Sequence, residues 1–146
     1  MNDRYLFRGR IPESTDYHDK GEWVYGSLIH ILPGKYNVPM YGELFIYPPA
    51  KGEVRPHYVD AKTVGQCTGL RDKNGTLIFE GDVVKLQINK KYAEIFSVVW
   101  SRFLQWTYRN TNGVDCFALT TYQGKDIEVI GNLYDGGRFD DGNTSE

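Results

Sequence analysis

Apolar residues in this chain come in short alternating runs broken by glycine, proline and asparagine, with few repeats at spacings of three and four. That pattern predicts strands joined by turns and very little helix. Glu22-Trp23-Val24-Tyr25-Gly26-Ser27-Leu28-Ile29 is aromatic and β-branched and follows Lys20-Gly21, so it reads as a strand continuing to Ile31 before Pro33-Gly34 turns it. Gly42 to Tyr47 is the next strand, stopped by Pro48-Pro49. A brief pairing segment at Tyr58-Val59 leads into Gly65 to Arg71.

The sharpest local signal lies between Leu70 and Leu86. Asp72-Lys73-Asn74-Gly75 separates Thr68-Gly69-Leu70 from Leu77-Ile78-Phe79, and Asn-Gly accepts the positive φ values of a tight reversal. A second turn at Glu80-Gly81-Asp82 launches Val83-Val84-Lys85-Leu86-Gln87-Ile88, which alternates as a half-buried strand does. Asn89-Lys90-Lys91 reverses it; strands follow at Ala93–Trp100, Phe103–Arg109 and Cys116–Leu119, with a polar turn at Asn110–Asp115, and Asp126–Leu133 closes the series. Five or six short strands on tight turns fit a small, strongly bent barrel that hides its edges by curling the sheet on itself. The expected organisation is a β element over residues 1–60, an SH3-like barrel over 61–135 and a frayed acidic tail over 136–146. With about 60 residues and several Gly and Pro interruptions, the first element is expected to pack on the barrel or across a subunit boundary.

At 146 residues the chain has the length of one domain or two very small ones. Its 17 Lys plus Arg against 19 Asp plus Glu give a net charge of −2, so no global field draws in nucleic acid or an anionic membrane. No window approaches the roughly 18 apolar residues of a spanning helix. Cys67 and Cys116 form no CxxC pair and have no histidine at a ligand-like offset, which excludes a zinc ribbon. The opening Met1-Asn2-Asp3-Arg4-Tyr5-Leu6-Phe7-Arg8 lacks the apolar stretch of a signal peptide, so reduced thiols in a cytoplasm are expected.

Motifs for catalysis and ligand binding fail in turn. Asp72-Lys73-Asn74-Gly75 begins like a calcium loop but has Leu77 and Val83 where that loop needs glycine and glutamate. Gly21 to Ser27 has the outer spacing of a phosphate loop without its lysine, and GxGxxG, GxSxG and HExxH are missing from the sequence. His18, His30 and His57 are spaced too irregularly for two to share a face of one element, and no metal or cofactor is expected. Cys67 with His57 could form a thiolate and base pair, but inert buried cysteine is the simpler reading. Glu80 and Asp82 could act as paired carboxylates, against a turn that caps a strand entry.

The 11 Tyr, 7 Phe and 3 Trp carry more information. Trp100, Trp106 and Tyr108, with Tyr92 upstream, cluster in the barrel portion, and Trp106 and Tyr108 share a face of an extended strand. A barrel must fill its interior with large side chains, so packing accounts for most of the rings and leaves a few to grip a peptide or stack bases. Lys85, Lys90, Lys91 and Arg102 could contact phosphates beside them, nearly cancelled by Glu80, Asp82 and Glu94.

Several segments together resemble the YopX family of phage- and prophage-encoded proteins: Phe7-Arg8-Gly9, Gly21 to Gly26, the ordered run Thr63 to Gly75, Ile78 to Val84, Val98-Val99-Trp100 and Ile127 to Asn132. Cys67 departs from the bulky residue expected between Gln66 and Thr68. The resemblance implies a β-rich protein with an SH3-like barrel in its carboxy-terminal half, and a place in the host cytoplasm. It implies no activity, because the family carries no catalytic or binding residues to transfer, and fold does not fix function. The expectation is a non-enzymatic accessory protein that binds a protein partner, a second copy of itself included, through Trp100, Trp106 and Tyr108 with Lys90 and Lys91 nearby. Single-stranded nucleic-acid binding is the alternative, and an enzyme built on Glu80, Asp82 or Cys67 with His57 the weaker one.

Overall fold

The computed structural model describes residues 3–31, 43–48 and 55–135. Of these, 57% lie in strands and 8% in helix, so the alternation does resolve into a mainly β protein. The turn at Pro33-Gly34, Gly42, Pro49 and the tail from Gly136 lie outside the described residues. The chain divides into two compact units, Met1–Cys67 and Thr68–Glu146, and the division falls within a strand.

The first unit holds β1 (Phe7–Arg10), β2 (Trp23–Ile31), β3 (Glu43–Tyr47), β4 (His57–Tyr58) and most of β5 (Asp60–Arg71), side by side in the order β4-β3-β2-β1-β5. Neighbours are antiparallel, with Arg10 opposite Trp23, Ser27 opposite Tyr47 and Phe45 opposite Tyr58. Strand β1 is only Phe-Arg-Gly-Arg, too short to alternate; it becomes a strand because Phe7 is paired to Gly26 on one side and Gln66 on the other. Ile11, Val24, Ile46 and Val59 form the core of this unit, each contributing on the order of 1.5–3 kcal/mol by leaving water.

The second unit begins with the last residues of β5, which turn through Asp72–Gly75 into β6 (Leu77–Phe79). Then follow β7 (Asp82–Asn89), β8 (Tyr92–Trp100), β9 (Trp106–Arg109), β10 (Asp115–Ala118) and β11 (Ile127–Asn132). Along β7, Val84 and Leu86 are buried while Lys85 and Gln87 face solvent, as period-two alternation requires. The sheet runs β10-β9-β8-β7-β11, a meander whose last strand returns beside its first after 3-10 turns at Leu119–Thr121 and Gly124–Asp126. Its core is Ile78, Val84, Leu86, Phe96, Val98, Tyr108, Leu119 and Ile127.

Two expectations change here. The sheet is not closed into a barrel: the hydrogen-bonded order ends at β10 on one side and β11 on the other. Side chains finish that side instead of a ladder, with Leu119 buried and Phe117 and Tyr122 packed against the core. The strand expected from Phe103 also begins later, at Trp106, because residues 101–105 form a closed loop.

One corner joins the Asn-Gly hairpin to β11. Asp72 Oδ1 accepts from the N–H groups of Asn74 and Thr76, each at 2.9 Å, and its Oδ2 accepts from Val129 N–H at 2.9 Å. Lys73 N–H donates to Ile127 O at 2.9 Å, and the Lys73 ammonium pairs with Glu128. Gly75 sits at φ 82°, the left-handed region that the turn demands. Gly124 lies so close that a Cβ there would stand 2.4 Å from Arg71 O, so the corner admits no side chain at that position.

Candidate functional site

Strands β8 and β9 place Trp100 directly opposite Trp106, and the two rings meet edge to face with centroids 4.9 Å apart. Such a pair contributes about 0.5–1.5 kcal/mol beyond its area. Trp106 leans on the core from the same face of β9 as Tyr108, while Trp100 is 49% exposed. Tyr108 is fully buried, and its hydroxyl donates to Leu119 O at 3.0 Å. Burial, with Tyr122 beside it, pushes its phenol far above the usual tyrosine range. Tyr108 is therefore a core residue and not a surface anchor, because a strand side that reaches the core at Trp106 reaches it again two residues on.

The loop between these strands holds the residues that the strand pattern concealed. Ser101 is buried; its N–H donates to Gln105 O at 2.9 Å, its carbonyl accepts from Leu104 N–H at 3.0 Å, and its hydroxyl accepts from Phe103 N–H at 3.2 Å. This network fixes a five-residue reversal and turns Phe103 and Leu104 outward, 65% and 76% exposed. Leu104 sits at φ 59°, a conformation that costs a non-glycine residue roughly 1–2 kcal/mol. The Arg102 guanidinium lies over the Phe103 ring, 5.0 Å from its centroid. Trp100, Phe103 and Leu104 thus form an apolar tip on a hydrogen-bonded base. A lone Phe-Leu pair inside an apparent strand gave no sign of this; the polar Ser101 and Arg102 just before it were the available hint.

The remaining candidates separate. Lys90 and Lys91 are exposed on the β7–β8 turn, where Lys91 N–H donates to Asn89 Oδ1 at 2.8 Å. That turn is at the far end of β8 from Trp100, roughly 26 Å away at 3.3 Å per residue, so lysines and tryptophans do not share a site. Asp82 is buried, and its Oδ2 accepts from Phe79 N–H at 2.7 Å, which makes it the cap of the strand entry. Cys67 is buried in β5 and His57 lies in β4, with three strands between them, so no thiolate and base pair forms.

In the first unit the structure instead unites two histidines that lie 39 positions apart. His18 Nε2 and His57 Nε2 are 3.3 Å apart, with ring planes at 84°. His18 sits in the β1–β2 connection, where Thr15 Oγ1 accepts from His18 N–H at 3.0 Å and Glu22 Oε2 accepts from Asp19 N–H at 3.1 Å. The same Glu22 oxygen is 2.8 Å from His18 Nδ1, and this bond holds the Glu22 carboxyl below the usual range. His57 borders a cleft of about 660 Å³ whose walls include Ile11, Tyr17, Arg55 and Tyr58. His30, on β2, is exposed.

The sequence profile of the family described as YopX protein matches residues 18–138, which include both histidines and the whole β8–β9 tip. Comparison with curated proteins gives no match.

Proposed function

The chain belongs to the YopX family, and from that premise we propose that it is a non-enzymatic phage accessory protein that docks a protein partner through the β8–β9 tip. One observation carries the reading: Trp100 at the end of β8 and Phe103 and Leu104 in the loop after it project into solvent, on a loop pinned by three hydrogen bonds to Ser101 and with a left-handed backbone at Leu104. Strain at an exposed apolar residue is retained when the residue is used. Three side chains cover much less than the roughly 800 Å² per partner of a standard flat interface, so the tip suits insertion into an apolar pocket better than pairing with its own copy.

Nucleic acid is the weaker reading, because the one cation at the tip, Arg102, lies over Phe103 while Lys90 and Lys91 stand at the other end of β8. The second unit reads as an open relative of the SH3-like barrel, on the ground that its strands form a meander with the last returning beside the first. A reducing host cytoplasm accords with Cys67 and Cys116 standing as thiols and not as a disulfide, and among the described residues no helix is long and apolar enough to cross a membrane.

A photo-crosslinking residue at position 103, in cells expressing the full chain, is expected to give one discrete protein adduct. That adduct should disappear in Trp100→Ser and Leu104→Asn variants. An adduct that persists in both variants, or none at all, overturns the docking site. Trp100 fluorescence that is quenched by a single-stranded oligonucleotide in a salt-sensitive way would move the assignment to nucleic acid.

A further inference from the structure

We propose that His18 and His57 form an open binding site for a divalent transition-metal ion of the Zn²⁺ type, with Glu22 positioning His18. Two nitrogens bound to a tetrahedral zinc at roughly 2.0–2.1 Å stand roughly 3.3–3.4 Å apart. The two Nε2 atoms are at 3.3 Å without any ion between them. They come from the β1–β2 connection and from β4, so the spacing follows from the fold of the unit and not from a local helical or turn repeat.

The carboxylate sets the chemistry of the pair. An ionised Glu22 can only accept, so His18 Nδ1–H donates to Glu22 Oε2 and His18 Nε2 carries the lone pair. Histidines that ligate metals are held in this way, with the far nitrogen bonded to a carboxylate that fixes the tautomer and raises basicity. His57 Nε2–H then donates to His18 Nε2 when no ion is bound. A metal ion takes the place of that shared proton, which moves to Nδ1 of His57; the ring centroids stand 4.3 Å apart, closer than in a chelating pair, so binding requires the rings to rotate outward until both Nε2 lone pairs face the ion.

Among the described residues no group of three or more His, Cys, Asp or Glu could hold a metal ion. The site is therefore of two imidazoles, with water completing the coordination. His57 stands in the wall of the cleft, which gives a hydrated ion its approach. Glu13 and Asp16 on that wall favour a cation and Arg55 opposes them. The two-nitrogen donor set suits zinc, nickel or copper and disfavours calcium and magnesium, which take oxygen ligands.

Calorimetric titration of the untagged full chain with Zn²⁺ alone should show one saturable site. His57→Ala and His18→Ala should abolish it, and Glu22→Gln should weaken it about tenfold, the size of effect usual for such a supporting carboxylate. An independent reading needs no variant: Zn²⁺ should slow diethylpyrocarbonate modification of His18 and His57 and leave the exposed His30 unchanged. No saturable binding, equal binding by His57→Ala, or equal protection of all three histidines would each overturn the site and leave a plain imidazole hydrogen bond.

Discussion

Asp72 shows how much one side chain can carry. Its two oxygens accept three backbone N–H groups, two inside the hairpin and one from β11. Burial by itself would raise its pKa, but the bonds from Val129, Thr76 and Asn74, with Lys73 nearby, outweigh that and hold it below its ordinary 3.8. A carboxyl depressed in the folded state stabilises the protein above its unfolded value, and that contribution is lost as pH falls through the lower folded value. Asp72→Asn keeps the Oδ1 contacts but sets an amide against Val129 N–H, and should cost about 2 kcal/mol in urea unfolding at neutral pH. The difference from the unmodified chain should shrink between about pH 5 and about pH 2; a constant difference would refute the role of ionisation. The turn role of Asp72 was legible, since an aspartate opening an Asp-Lys-Asn-Gly reversal makes local bonds to the backbone. Its bond to Val129 was not, because it spans 57 positions and no local pattern encodes it. The meeting of His18 and His57 was hidden for the same reason, and irregular spacing there argued only against a shared element.

At the scale of elements, strands β2, β3, β7, β8 and β11 lie close to where alternation placed them. Buried and exposed positions alternate along β2 and from Val84 to Gln87 in β7, and turn residues stand at the strand ends in the sequence, so period and punctuation agree there; in β8 Phe96, Ser97 and Val98 are buried in succession. The β8–β9 loop escaped because Phe103, Gln105 and Thr107 imitate an alternating strand, whereas the buried hydroxyl of Ser101 bends the chain by taking Phe103 N–H. The same arrangement separates the two aromatic roles. Trp106→Ala, removing a half-buried ring from the core, should lower stability by about 2 kcal/mol. Leu104→Asn should stay within about 0.5 kcal/mol of the unmodified chain or exceed it, since asparagine tolerates a positive φ. Comparable losses in thermal unfolding for the two variants would mean that Leu104 packs where the structure shows it exposed.

For the molecule as a whole, each unit has a core of its own, with four buried residues among those described in Met1–Cys67 and eight among those described in Thr68–Glu146. Strand counting anticipated a predominantly β chain, but it also expected the second sheet to close into a barrel, and the outermost strands of that sheet do not meet. Closure depends on strand length and tilt, and β9 and β10 have only four residues each. The two thiols differ in a way that turns them into a reporter. Cys67 is fully buried on β5, with its N–H bonded to Leu6 O at 2.8 Å, while Cys116 is exposed on β10. A maleimide dye should therefore label the native chain once and promptly, at Cys116. The second dye should attach only as fast as β5 detaches, so labelling stoichiometry over time becomes a clock for the opening of the strand that both units share, and two prompt equivalents would show Cys67 already accessible.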